Sequence, residues 1–241
     1  MKRFTKGICL FISAIVLYII FFCVEHTETS VYSEKYRNLK TDGFLVFSEH
    51  PENNRTETLK KLPGGYKFLD YSYVIKNSTI STFHRDVTSS QTMYNTNYPV
   101  YTLIIYKNEG RLLSICPGSH ETNPFVHSQI INITGPKNTC ILFDCDILHA
   151  GCFNECKERE IVQYKIAHHD DDLLLKHLNN VHIVKEENDC DDSVYNHFLR
   201  KCSFFFEMPI NTVFYPLFQK KHEDGVLSKL QQYGGTQFYY N

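Results

Sequence analysis

The chain carries four His-x-Asp pairs: His84/Asp86, His168/Asp170, His169/Asp171 and His222/Asp224. On a strand, alternate residues point to the same face, so each pair can present an imidazole and a carboxylate side by side. A second histidine facing them completes a two-histidine, one-carboxylate set. Such a set holds a divalent metal such as Fe(II) on one face and leaves the opposite face open for a cosubstrate and oxygen. The single negative charge leaves the metal partly uncompensated, which suits chelation by an anionic keto acid. The pair pattern alone arises on the order of once in a few hundred residues, so context has to select among the four.

Context favours His84 and Asp86. They are preceded by β-prone sequence and followed by several more such segments. One of these, Cys140–Phe143, leads through Asp144-Cys145-Asp146-Ile147-Leu148 to His149, the candidate third ligand. The pairs at His168 and His169 follow the last clear strand and read as a solvated acidic helix start. His222/Asp224 sits in a polar loop. Arg159, ten positions after His149, opens the next strand. An arginine offers a planar, permanently charged fork for the distal carboxylate of a dicarboxylate cosubstrate. Taken alone it would read as a surface arginine between Glu158 and Glu160. Tyr101 and Thr102 lie on a strand that could supply a hydroxyl to the same cosubstrate. Arg85 should point away from the metal by strand alternation. His120 and Asn154 are further candidates for the pocket rim, and His127, His177, His182 and His197 read as surface or packing residues.

The elements that must position these residues are short and β-rich. Phe44–Phe47, Phe68–Val74, Thr79–Phe83, Val100–Tyr106, Leu112–Cys116, Gln129–Ile133, Cys140–Phe143 and Ile161–Ala167 alternate with turn signals such as Pro63-Gly64-Gly65, Asn108-Glu109-Gly110, Pro117-Gly118 and Gly135-Pro136. That spacing predicts a β-sandwich or barrel. Beyond it, Asp170–Asn180 and Val226–Tyr233 are predicted as short helices. The length of 241 residues fits one catalytic domain with attachments, at about 150 residues per domain. A net charge of −2 gives no sign of a broad basic surface and argues against nucleic-acid binding.

The N-terminus reads as a signal anchor. Lys2, Arg3 and Lys6 precede an uncharged apolar run from Gly7 to Val24, near the lower limit for a transmembrane helix. The charge bias would place the rest of the chain in the lumen or outside the cell. Three sequons, beginning at Asn54, Asn77 and Asn132, agree with that topology, as do the nine cysteines, with Cys190–Cys202 as the first candidate disulfide. The alternative is that most cysteines are buried thiols. The expected organisation is a tip and anchor over residues 1–25, a stalk over 26–38, the β-rich domain over 39–168 and an extension over 169–241 that packs on the core.

The segments Phe83-His84-Arg85-Asp86, Ile115-Cys116-Pro117-Gly118-Ser119-His120 and Ile141-Leu142-Phe143-Asp144, with His149-Ala150-Gly151, Asn154 and Arg159 after them, resemble the phytanoyl-CoA dioxygenase-like branch of the Fe(II)/2-oxoglutarate-dependent dioxygenases. The resemblance covers roughly residues 35–168. It implies a mainly β, double-stranded β-helix (jelly-roll) fold with flanking helices. It also implies Fe(II) on His84, Asp86 and His149, 2-oxoglutarate on the metal and on Arg159, and O2 as the oxidant, with ascorbate as a possible reductant. The prolyl-hydroxylase branch usually has lysine where Arg159 stands. The reaction implied is hydroxylation of a C–H bond coupled to decarboxylation of 2-oxoglutarate to succinate and CO2. With the anchor, the expected substrate is a secretory protein, glycan or lipid. A reading from another class is a catalytically inactive, cupin-like jelly roll that serves as a binding or structural membrane protein.

Overall fold

A computed structural model describes residues 2–22, 38–48, 54–77, 81–121, 130–152, 159–186 and 193–204. In chain order the elements are α1 (Lys2–Phe22), β1 (Phe44–Ser48), α2 (Asn54–Lys60), β2 (Tyr66–Phe68), β3 (Tyr71–Lys76), α3 (Gln91–Tyr94), β4 (Tyr101–Tyr106), β5 (Gly110–Ile115), β6 (Ile131–Gly135), β7 (Thr139–Asp144), β8 (His149–Gly151), β9 (Glu160–His168) and β10 (Val181–Glu186). A further helix, α4, covers 194–204.

The chain is mainly β. The larger sheet has the order β1-β7-β4-β9-β3-β10, with β2 added along β9, and the smaller has the order β6-β5-β8. All pairings are antiparallel except β10 with β3. The core lies between the sheets. Phe44, Ile104, Tyr106, Ile141, Phe143 and Ile161 from the large sheet meet Leu113, Ile115, Ile131 and Ile133 from the small one. The large sheet buries its outer face too: Tyr101, Leu103, Ile105, Leu142 and Ile166 pack there with Leu59, Leu62, Leu39 and Phe47. Burial on both faces explains why β4 and β7 read as unbroken β-prone runs instead of alternating polar and apolar residues. Gly43 holds φ +81 in the turn before β1, and a Cβ there would fall 2.6 Å from His120 Nδ1. Glycine is the residue that tolerates both conditions.

Several expectations change here. No helix among the described residues is long and apolar enough to cross a membrane. This overturns the expected transmembrane signal anchor and, with it, the single-pass membrane localisation and the lumenal or extracellular placement. The sequon at Asn132 gives that placement no support: its side chain is buried and accepts a hydrogen bond from Ser114. Cys116, Cys140, Cys145 and Cys152 are buried, and Cys145 and Cys202 are free thiols; Cys190 lies outside the described residues. Asp170–Asn180 forms two short 3-10 turns, His169–Asp171 and Lys176–Leu178, instead of a helix. The large sheet continues past residue 168 with β10. Val226–Tyr233 lies outside the described residues.

Candidate metal centre

His84 is the site's first fixed point. Its segment makes no regular strand, but an isolated bridge joins it to His149. The N–H of His84 donates to the carbonyl of His149 at 2.9 Å, and the return bond measures 3.0 Å. Two residues on, the N–H of Asp86 donates to Cys145 O at 2.9 Å. α4 holds the same segment from outside: Phe83 N donates to Ser203 Oγ at 2.8 Å, and Phe204 packs edge-on against Phe83. His149 opens β8, directly across from Ile115 of β5.

His84, Asp86 and His149 form a group of ligand atoms able to hold a metal ion. Asp86 Oδ1 lies 4.0 Å from His84 Nε2 and 3.7 Å from His149 Nε2. Each ring is oriented by a carbonyl two residues before it: His84 Nδ1 lies 2.9 Å from Thr82 O and His149 Nδ1 lies 3.0 Å from Ile147 O. A carbonyl only accepts, so each Nδ1 carries the proton and each Nε2 turns a lone pair towards Asp86. Fixing the tautomer this way is how proteins present imidazole to a metal. Burial, followed by the charge of His84, pushes His149 down to about 4, so the ring stays neutral at ordinary pH. The donor set therefore fits a borderline divalent metal.

Asp86 is pinned from behind. Its Oδ2 accepts from Thr102 Oγ1 at 2.6 Å and from Lys165 Nζ at 2.7 Å, and Lys165 also lies 2.8 Å from Thr102 Oγ1. Thr102 and Lys165 are directly opposite each other on β4 and β9. Burial alone would raise the Asp86 carboxyl, but the Lys165 ammonium, with His149 and His84, outweighs it and holds the group far below the ordinary carboxylate range. Only Oδ1 faces the two imidazoles.

Arg159 is 4% exposed. Nη1 donates to Asn77 O at 3.1 Å, while Nε is buried without a hydrogen-bond partner among the described residues. A Cβ on Gly151 would meet Arg159 Nη2 at 3.5 Å, so the guanidinium lies beside Gly151. Residues 149 and 151 share a face of β8 and stand about 7 Å apart along it. The Tyr106 hydroxyl donates to Leu112 O at 2.9 Å, and burial raises its pKa against the opposing influence of the nearby Arg159.

Four expected site residues thus come together: His84, Asp86 and His149, with Arg159 one strand repeat away. Thr102 joins them in a different role, because its hydroxyl proton is given to Asp86. Tyr101 does not join them. It points to the outer face of the large sheet, against Tyr66 and the Leu103–Leu142 cluster, as alternation requires once Thr102 points inward. Arg85 turns away as expected and donates to Asp146 O and Ser119 O. His120 packs under Gly43 with Nε2 on Lys40 O at 3.0 Å, a structural placement. Asn154 and the His222/Asp224 pair lie outside the described residues. A second possible metal group, His168, His169 and Asp170, is a turn whose three side chains pair with one another. His169 and Asp170 are exposed there, whereas His168 and Asp171 are buried, so only half of the expected solvated pair residues face solvent.

Two contributors were missed. Lys165 lies within the polar face of a strand, Gln163 and Lys165 alternating with Val162, Tyr164 and Ile166. That pattern reads as solvent-facing, yet Lys165 is 2% exposed beside Asp86. Arg200 of α4 is also buried. It donates to Ser81 O at 2.5 Å, Gly151 O at 2.8 Å and Ser114 Oγ at 2.6 Å. Nothing in the sequence near Arg200 signals this.

No protein-family model matches the chain, and no curated protein does. Solved structures similar to it include SnoN, titled a non-heme alpha ketoglutarate dependent epimerase from nogalamycin biosynthesis, at 11% identity and a TM-score of 0.38, covering 54% of this chain and 79% of that one. HygX from Streptomyces hygroscopicus with nickel and 2-oxoglutarate bound is 12% identical, with a TM-score of 0.40 and coverage of 54% and 84%. The non-heme monooxygenase ThoJ is 10% identical, with a TM-score of 0.41 and coverage of 54% and 75%.

Proposed function

We propose that this protein is a non-haem Fe(II)- and 2-oxoglutarate-dependent oxygenase of the double-stranded β-helix type, in which His84, Asp86 and His149 hold the metal. The observation that carries this reading is the convergence of two Nε2 lone pairs and one carboxylate oxygen, with every other polar atom of the three side chains engaged elsewhere. Arg159 supports 2-oxoglutarate as the cosubstrate. Its Nε is buried with no hydrogen-bond partner among the described residues and its Nη2 lies beside Gly151, so the guanidinium can take a carboxylate side-on. An arginine at this position, where the prolyl-hydroxylase branch usually has lysine, favours the phytanoyl-CoA dioxygenase-like branch.

When bound, Fe(II) supplies oxygen activation coupled to loss of CO2 from the keto acid. The protein's own residues set the geometry. Thr82 and Ile147 carbonyls fix the imidazole tautomers. Thr102 and Lys165 hold Asp86 to one inward oxygen. Phe143, whose ring centroid is 4.5 Å from that of His149, keeps an apolar wall against the buried ligand. The substrate is a molecule with a C–H bond that the open face of the metal can reach.

The test is release of succinate and CO2 from 2-oxoglutarate with Fe(II) and ascorbate, first without an added substrate and then with a substrate screen. Wild type should bind 2-oxoglutarate and turn it over, and His149→Ala should not. Arg159→Gln should raise KM for 2-oxoglutarate by about tenfold or more, since a charged bidentate contact is lost. Absence of both turnover and 2-oxoglutarate binding in the metal-loaded wild type would sink the reading.

A further inference from the structure

Lys165 raises a question that metal binding by itself does not answer. A ligand set for a divalent cation gains from negative charge, yet a buried ammonium stands 2.7 Å from the one carboxylate in the set. Burying that ammonium is costly unless it is paired, and it is paired with Asp86. The two oxygens of Asp86 are divided: Oδ2 serves Lys165 and Thr102, and Oδ1 faces the imidazoles. The same contacts stop the carboxylate from rotating to give both oxygens to one ion.

The charges have a consequence. The Lys165 ammonium, bonded to Asp86, repels a divalent ion held by His84, Asp86 and His149 and attracts a dianionic keto acid bound at that ion. Lys165 therefore opposes the bare metal and favours the metal together with a dianionic chelator. Charges a few ångströms apart inside a protein are weakly screened, so the effect is large compared with a surface ion pair.

We propose that Lys165 is a positioning and charge-setting residue of the metal site, holding Asp86 to one-oxygen coordination and making metal retention depend on a bound dianionic keto acid. The proposal rests on the function assigned above. Metal and acid binding become reciprocally coupled, each tightening the other.

The test uses the full chain and Mn(II), which binds such sites without turnover. Lys165→Gln keeps a hydrogen-bond donor for Asp86 and removes the charge. It should bind Mn(II) tighter than wild type by about tenfold or more, while 2-oxoglutarate binding to the Mn(II)-loaded protein weakens by about tenfold or more. A residue that only supports the fold would weaken both when changed. Parallel weakening, or unchanged Mn(II) affinity, overturns the proposal. If the variant does not fold, a crystal structure of Mn(II)-loaded wild type decides. Asp86 should give the metal Oδ1 alone, with Lys165 Nζ still bonded to Oδ2. A bidentate Asp86, or a Lys165 displaced from it, overturns the proposal. Wild type that binds no Mn(II) at all would count against the proposed function. Wild type that binds it, with no opposed shifts in the variant, counts against Lys165 alone.

Discussion

The backbones of His84 and His149 are bonded to each other in both directions, at 2.9 and 3.0 Å, and their ring centroids stand 4.5 Å apart. Residues directly opposite in an antiparallel bridge project to the same side. The main chain thus sets both imidazoles on one side, and the Thr82 and Ile147 carbonyls orient the rings.

That relationship predicts a separation between binding and stability. His84 is about one-third exposed and His149 is buried. His84→Ala should keep the bridge and lose divalent-metal affinity by at least about 100-fold, with unfolding free energy changed by less than about 1 kcal/mol. His149→Ala should lose the metal equally and also cost about 2 kcal/mol or more, because it opens a space beside Phe143. Mn(II) titration and urea unfolding measure the two effects. Retained metal affinity in His84→Ala would remove it from the ligand set.

Thr102→Val deletes the hydroxyl that donates to Asp86 Oδ2 while preserving shape. Lys165 still holds that oxygen, so the loss is partial. The expectation is a 10- to 100-fold fall in metal affinity, roughly the range for a partner that orients a ligand. A fall in 2-oxoglutarate affinity with metal affinity unchanged would instead return Thr102 to the cosubstrate role expected from the sequence.

The metal-free protein should show opposed pH effects from two buried groups. His149 is driven down to about 4, chiefly by burial, from an unfolded value of about 6.5. Between these values the unfolded state binds the extra proton, so this contribution to stability is lost as pH falls. Asp144 is pushed up to about 6, first by burial and also by the charge of Asp146, from about 3.9 when unfolded. Here the folded state binds the extra proton, and the contribution is lost as pH rises through about 6. Between about pH 4 and 6 the two slopes oppose each other. Asp144→Asn, which retains an acceptor for the Asp146 N–H, should make stability rise more steeply with pH there, by up to about 1.4 kcal/mol per pH unit. Urea unfolding at several pH values in the presence of a chelator checks it; an unchanged slope would contradict it.

Arg200 fastens α4 to the strand that carries His149. Arg200→Met should cost about 3 kcal/mol or more, since the carbonyls of Ser81 and Gly151 and the hydroxyl of Ser114 lose a charged donor at once. Metal affinity should fall along with stability, because Gly151 is two residues from His149. Truncation after residue 193 should reproduce both effects. If the truncated chain matched wild type in both respects, α4 would have no part in forming the site.

The amino-acid sequence by itself determined most of the strand series and pointed to the candidate ligand residues. Val100–Tyr106, Cys140–Phe143 and Ile161–Ala167 are β-branched or aromatic runs that match β4, β7 and β9, because local preference and two-sided burial act in the same direction there. His84, Asp86 and His149 were selected because chemically distinctive residues sat at the ends of such runs. Tertiary structure decided what alternation could not. Which face of β4 meets the core depends on what covers each side, so Thr102 enters the site and Tyr101 leaves it. Lys165 looks like a solvent-facing residue until β9 is placed opposite β4 with Asp86 above both. Arg200 is distant in sequence, and its partners exist only once α4 packs on the small sheet. The reason is the same in each case: residue type and period report local preference, whereas the partner of a buried charge is fixed by long-range register.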